Sequence, residues 1–231
     1  MPSVLVTSAS RGLGLEFVKQ YAEEGWRVFA ACRNPASASE LQRLAEPSGG
    51  RITVLAMDVT DLASVKAAAV ALDGRALDVL LNSAGIAGRA GQTADNLDYE
   101  SWNQVLDVNT LGPARVTTCF ADAVAKSERK LVVTISSGMG SLTDNTSGGS
   151  IAYRSSKAAV NMVMRSFAID LAPRGTSCVL VNPGWVRTEM GGESATLTPT
   201  QSVSALTRLI GTLNQTHSGK FLNYDGREYA W

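Results

Sequence analysis

Tyr153 and Lys157 stand four positions apart, a spacing that puts both on one face of a helix. A free tyrosine titrates at about 10 and is a poor proton donor or acceptor at neutral pH. A cation one helical turn away favours the phenolate and lowers that value. Tyr153 then serves as a general acid/base toward a carbonyl oxygen or a hydroxyl. Ser137 lies 16 positions before Tyr153, just past the apolar run Leu131-Val132-Val133-Thr134-Ile135. Its hydroxyl can hydrogen-bond the same oxygen and stabilise developing charge. Ser136 points to the other side of that strand. Taken alone, the Tyr/Lys spacing also fits an ordinary half-exposed helix face.

A second group of residues sits near the start. Val4-Leu5-Val6 runs into Thr7-Ser8-Ala9-Ser10-Arg11-Gly12-Leu13-Gly14, and a helical pattern follows. A strand, a glycine-rich turn and a helix make a cradle for a pyrophosphate, because backbone N–H groups and the helix dipole both face it. The same pattern also serves as a plain tight turn. The second apolar run ends Ala31-Cys32-Arg33-Asn34, with Arg33 21 positions after Gly12. A carboxylate there would bind a ribose 2′-hydroxyl and select NAD. Arginine pairs instead with a 2′-phosphate. Arg11, in the turn itself, can reach the same group. Two guanidiniums and no acid predict NADP(H), although each arginine would also be at home as a solvated surface charge.

The elements that must position these groups are legible as periodicity. The short apolar runs are Val4–Val6, Val28–Ala31, Ile52–Met57, Val79–Leu81, Leu131–Ile135, Cys178–Val181 and Lys220–Leu222. They are rich in β-branched residues and hardly alternate, as strands do when both sheet faces are covered. Between them, Leu13, Phe17, Val18 and Tyr21, and later Val160, Val163, Met164 and Phe167, repeat at helical spacing. The fold predicted is α/β: one doubly wound domain, a mostly parallel seven-stranded sheet with helices on both faces. No internal boundary or repeat is visible. Two longer polar stretches, Gly138 to Ser150 and Arg187 to Pro199, are candidates for the rim of a site.

Composition excludes several function classes. The 231 residues carry 21 Lys+Arg and 21 Asp+Glu, so the basic excess that nucleic-acid or membrane-surface binding needs is missing. The longest apolar run, Ala67 to Leu72, is far too short to span a bilayer. No secretory signal is visible after Met1, which points to a cytoplasmic protein. Cys32, Cys119 and Cys178 are scattered, so neither a disulfide framework nor a metal site is expected. The single histidine, His217, lies in a polar stretch and reads as a surface residue.

Several motifs, in order, resemble the short-chain dehydrogenase/reductase family over essentially the whole chain. Thr7 to Gly14 is similar to its T-G-x-x-x-G-x-G, with Ser8 in place of the leading glycine. Asp58-Val59 resembles its adenine-contacting pair, and Asn82-Ser83-Ala84-Gly85 its N-N-A-G. Asn109 matches its catalytic asparagine, Tyr153 and Lys157 its Y-x-x-x-K, and Pro183-Gly184 with Thr188 its P-G-x-x-x-T. The Gly140–Gly149 loop and the ending Phe221–Gly226 look like the C-factor/sniffer carbonyl-reductase branch.

The resemblance implies a Ser–Tyr–Lys–Asn mechanism of carbonyl reduction. Tyr153 moves the proton, Ser137 holds the oxygen, and Lys157 binds the nicotinamide ribose and depresses the Tyr153 pKa. Asn109 holds a water in a relay ending at Lys157. The implied NADP(H) contacts are Ser8, Ser10, Arg11, Gly12, Leu13, Gly14, Arg33, Asp58, Val59, Asn82, Ala84, Gly85, Tyr153, Lys157, Pro183, Gly184, Val186 and Thr188. The partner implied is a small carbonyl or alcohol, and the assembly a homodimer or homotetramer steadied by the helix that carries Tyr153. The Arg187–Pro199 segment is where the family carries its substrate lid. Gly191-Gly192 implies that it is mobile, and Trp185 and Met190 are candidates to line the pocket. Two competing readings are halohydrin dehalogenation, against which Lys157, Arg11 and Arg33 all argue, and an NADP(H)-binding signalling or sensor protein with little turnover.

Overall fold

A computed structural model describes all residues, Met1–Trp231. Seven strands form one sheet: β1 Ser3–Thr7, β2 Arg27–Cys32, β3 Ile52–Ala56, β4 Val79–Asn82, β5 Leu131–Ile135, β6 Ser177–Asn182 and β7 Phe221–Asn223. Their spatial order is β3-β2-β1-β4-β5-β6-β7, and every neighbouring pair is parallel. The expected strands are all present. The last begins one residue later than its apolar run, because Lys220 N–H closes a turn onto the His217 carbonyl.

Successive strand residues face opposite sides, and both sides are covered. Val4, Val6, Val28, Ala30, Val133 and Val181 pack with helices α1 (Gly12–Glu23), α2 (Ser39–Ala45) and, after a long crossover, the helix Pro199–Thr212. Leu5, Phe29, Leu80, Val132 and Leu180 face the other layer. That layer holds α3 (Leu62–Ala71), α5 (Gly112–Ala125) and α6 (Ile151–Asp170), with α4 (Tyr99–Leu106) leading into α5. The helix Pro199–Thr212 is α7. Burial on two faces is why the strands read as unbroken apolar runs.

The chain winds outward from β1 in one direction to β3, then crosses back and winds the other way from β4 to β7. The carboxyl ends of β1 and β4 therefore border the crevice where such sheets take ligands. Between α4 and α5 the helix widens into a π-turn, Asp107–Leu111, closed by the Gly112 N–H on the Asp107 carbonyl. Such turns turn side chains out of the helical register and recur at functional sites. No helix is long and apolar enough to cross a membrane.

Candidate active site

The glycine turn leaves β1 at Thr7. Thr7 Oγ1 accepts from the N–H groups of Ser83 and Ala84 at 2.9 and 3.0 Å, tying the turn to the loop after β4. Gly14 has no room for a side chain, since a Cβ there would lie 2.2 Å from the Ser8 carbonyl oxygen. That close approach seats α1 against the turn. The α1 N-terminus has no side-chain cap, whereas α3, α4 and α7 are capped by Asp61, Asp98 and Thr198. Its first-turn N–H groups stay open to an anion. Ser10 is half-buried in the turn, and the Leu13 side chain packs on the core, so Leu13 offers this cleft only its backbone.

The chemistry-bearing side chains meet beyond β4 and β5. Lys157 is fully buried, and its Nζ donates to the Ile135 carbonyl at 2.9 Å. Burial without an acid partner pulls its pKa down to about 8. A Cβ on Gly85 would sit 3.6 Å from that Nζ and 3.5 Å from Asn109 Oδ1, so glycine keeps this corner open. Lys157 Nζ lies 5.8 Å from the Tyr153 ring centre. Ser137 sits beside the Tyr153 hydroxyl, and its own Oγ accepts from the Met139 N–H at 3.1 Å. Ser136 turns away and donates to Asn161 Oδ1 at 2.6 Å.

Two expectations need correction here. The Tyr153 pKa is raised, not lowered: burial dominates, and the hydrogen bond with Ser137 only offsets part of it. Lys157 does not offset it, its Nζ being drawn to the Ile135 carbonyl. Asn109 is the second. Its Nδ2 donates to the Ile86 carbonyl (2.9 Å) and Ser156 Oγ (3.0 Å), and its Oδ1 accepts from the Ile86 N–H at 2.8 Å. Those bonds fasten the loop after β4 to α6, so the Asn109 side chain is engaged by protein rather than standing free.

The nucleotide side differs from expectation too. Arg33 is exposed at the end of β2 with no ion-pair partner in contact, and its field reaches Asp58. Burial would raise the Asp58 pKa, but hydrogen bonds from Thr60 and the charges of Arg33 and Arg115 bring it below the usual value. Arg11 does not join Arg33. Its Nη1 pairs with Glu189 at 2.8 Å, on the segment after β6. Asn82 is turned inward, donating to Thr117 and Thr134 at 3.1 and 3.2 Å, so its side chain braces β4 and lines no cleft. Val59 packs against Gly112 and Ala84 is buried.

The segment after β6 is held by several hydrogen bonds. Arg187 N–H bonds the Leu197 carbonyl, Leu197 N–H the Trp185 carbonyl, and Trp185 Nε1 the Gly191 carbonyl at 2.8 Å. Pro183 accepts from Ser202 Oγ, Val186 is buried, and Thr188 accepts from the Gly191 N–H. A Cβ on Gly12 would lie 3.8 Å from Thr188 Cγ2, so this segment closes over the glycine turn. Trp185 and Met190 are each about half exposed.

The short chain dehydrogenase family model matches residues 2–197. The chain belongs to that family. It is similar to C-signal of Myxococcus xanthus, 44% identical over 155 residues that cover 67% of this chain and 93% of that protein. The NADPH-bound carbonyl reductase from chicken fatty liver superposes with a TM-score of 0.93 at 36% identity, over 100% of this chain and 99% of that one. The carbonyl reductase Sniffer of D. melanogaster gives 0.93 at 33% identity, over the whole of both chains.

Within this short-chain dehydrogenase, sequence reading missed Asn182. Its Oδ1 accepts from the Gly138 N–H at 3.1 Å and the Gly184 N–H at 3.4 Å, and its Nδ2 donates to Asn223 on β7 at 2.9 Å. One amide thus fixes the Ser137 turn against the Pro183-Gly184 turn. Its place just before Pro183-Gly184 was the available signal. Thr7 was read only as part of a motif, not as the brace it is.

Ser8 keeps the turn that the usual glycine would make. It does so at φ 56°, where a side chain costs roughly 1 kcal/mol. Ser8→Gly is expected to stabilise the fold by up to about 0.5 kcal/mol, because the added freedom of the unfolded chain offsets most of the strain relieved. Thermal unfolding checks it: a lower midpoint would mean that the Ser8 side chain contributes more than its strain.

Proposed function

We propose that this enzyme reduces a ketone or aldehyde of a small molecule to an alcohol, with NADPH as the reductant. The observation that carries the reading is the convergence of Ser137, Tyr153 and Lys157 beyond the ends of β4 and β5, beside the switch-point crevice. The cleft suits a dinucleotide on its own geometry. The α1 N-terminus is uncapped, glycine at 85 leaves room beside Lys157 Nζ, and that ammonium has a single protein acceptor for its three protons. Arg33 stands without a contacting carboxylate, ready for a 2′-phosphate.

The bound cofactor supplies a hydride to the substrate carbon. Everything else falls to the chain. Ser137 donates a hydrogen bond to the carbonyl oxygen and orients it. Tyr153 gives its phenolic proton to that oxygen as negative charge develops. A raised pKa makes the phenol the resting form, which is the form reduction needs. Lys157, its pKa drawn down to about 8 by burial yet still largely protonated at neutral pH, attracts the phenolate once it forms and would donate its remaining protons to ribose hydroxyls. Asn109 and Asn182 keep the loops that carry these groups in register.

The 44% identity to C-signal favours a second reading, a signalling protein that binds NADP(H) with little turnover. Calorimetric titration with NADPH and NADH, followed by NADPH consumption over a panel of ketones and aldehydes, separates the two. Tighter NADPH binding with turnover of at least one carbonyl is expected. Binding without turnover would transfer the case to the signalling reading, and binding of neither dinucleotide would end both.

A further inference from the structure

Ser137 opens a short turn, Gly138–Gly140, that is gripped at both ends. The Gly140 end rests on α6, so closely that a Cβ there would lie 2.8 Å from the Lys157 Cβ. At the other end stands Tyr229, whose hydroxyl occupies the space that a Cβ on Gly138 would need. We propose that Tyr229 is a positioning residue: its phenol holds the turn in place beside Lys157 and so sets where the Ser137 hydroxyl meets the substrate oxygen. The consequence for catalysis rests on the proposed function, whereas the hold on the turn does not.

Tyr229 is itself fixed by the chain around it. After β7 the chain turns back along the strand. The Asn223 N–H bonds the Arg227 carbonyl and the Tyr229 N–H the Phe221 carbonyl, both at 2.8 Å, with Glu228 antiparallel to Leu222. The Tyr229 ring packs on the buried Phe221 with centres 5.0 Å apart. Its hydroxyl hydrogen-bonds Asp144, in the polar loop just past the Ser137 turn. Burial and that carboxylate both raise the Tyr229 pKa, so the group stays a neutral phenol with its proton turned to Asp144. Two residues on, the Trp231 main-chain oxygen accepts from the Thr143 N–H at 3.0 Å, Thr143 Oγ1 at 2.9 Å and Ser141 Oγ at 3.2 Å. The loop and the segment after β7 are thus joined as one unit.

The contact lies at the residue directly after Ser137, so a shift of Gly138 passes straight to the serine. The Met139 N–H bonds Ser137 Oγ at 3.1 Å. That bond ties the serine rotamer to the turn and leaves its hydroxyl proton free for a substrate oxygen. The Gly138 N–H goes to Asn182 Oδ1 at 3.1 Å, and Asn182 Nδ2 to Asn223 on β7 at 2.9 Å. The same strand therefore supports the turn twice, once through the Asn182 amide and once through Tyr229. A reacting group displaced by roughly 1 Å can cost about 10²-fold in rate, so a hold at this point bears on turnover without touching the substrate.

The test is Tyr229→Phe in the whole protein, which keeps the ring on Phe221 and removes only the hydroxyl at Gly138. Hydrogen exchange followed by NMR should show the Gly138, Met139 and Gly140 amides exchanging about tenfold faster. The α6 amides should keep their protection, and NADPH affinity should not change. In steady-state carbonyl reduction kcat should fall about tenfold with KM little altered. In a Ser137→Ala background the same substitution should have no further effect, because it acts only through that serine. Asp144→Ala, which leaves Tyr229 whole but frees its hydroxyl, should change exchange and kcat in the same direction and by less. Unaltered exchange in both variants would overturn the proposal. So would a tenfold loss of kcat that persists in the Ser137→Ala background, or exchange accelerated throughout the fold, since either would make Tyr229 a residue of general stability. If the turn loosens as described and the wild type reduces no carbonyl, the hold on the turn stands and only the assigned reaction falls.

Discussion

Tyr153→Phe is expected to abolish carbonyl reduction while leaving the fold and NADPH affinity intact. The substitution removes one buried oxygen and keeps the ring that packs 5.8 Å from Lys157 Nζ. What disappears is the proton donor. Without it the developing alkoxide must take a proton from water, a far weaker acid than a positioned phenol. General acid catalysis of this kind contributes roughly 10²–10⁴-fold, so kcat should fall by about a thousandfold. Ser137 would lose its hydrogen-bond partner, but it can still orient the carbonyl. KM should therefore move little, as befits an interaction made chiefly in the transition state. The measurement is steady-state reduction with calorimetry of NADPH binding alongside. A variant that keeps a tenth or more of the wild-type kcat would show that Tyr153 is not the acid, and Lys157 would then be the group to examine.

Arg33→Ala should weaken NADPH and leave NADH unchanged. Arg33 is exposed at the end of β2 and pairs with no carboxylate, so its removal breaks no ion pair of the folded chain. A charge-assisted bidentate bond to a 2′-phosphate stabilises binding by about 2 kcal/mol, which is roughly thirtyfold in Kd. NADH has no such phosphate. Arg11→Ala should have a smaller effect, because Arg11 is already engaged with Glu189 at 2.8 Å. Titrating wild type and variant with both dinucleotides decides the matter. Equal loss for NADPH and NADH would sink the 2′-phosphate assignment and point instead to Asp58, which loses a neighbouring cation when Arg33 goes.

Much of the fold was legible along the chain, and for a definite reason. A parallel strand covered on both faces must be apolar at nearly every position, so Val4–Val6, Leu131–Ile135 and Cys178–Val181 announce themselves. A strand, a glycine turn and a helix in immediate succession fix one local geometry. The four-residue interval between Tyr153 and Lys157 is likewise set by helical repeat alone. These features depend on bond geometry over a few residues, and α6 carries both side chains as the spacing required.

The partners that each polar group chose were not legible, because they lie far apart in sequence and are brought together by the crossovers. Arg11 meets Glu189 only because the segment after β6 folds back over the first turn. Asn182 joins two loops because β6 lies beside β5 on one side and β7 on the other. The direction of the Tyr153 pKa turned on burial, which no interval encodes: helical spacing places a lysine nearby, but packing decides where its protons point. The sequence by itself therefore determined the strands, the glycine turn and the identity of the reacting side chains. Tertiary structure alone decided their protonation and their braces, since both depend on which distant surfaces exclude water from one another.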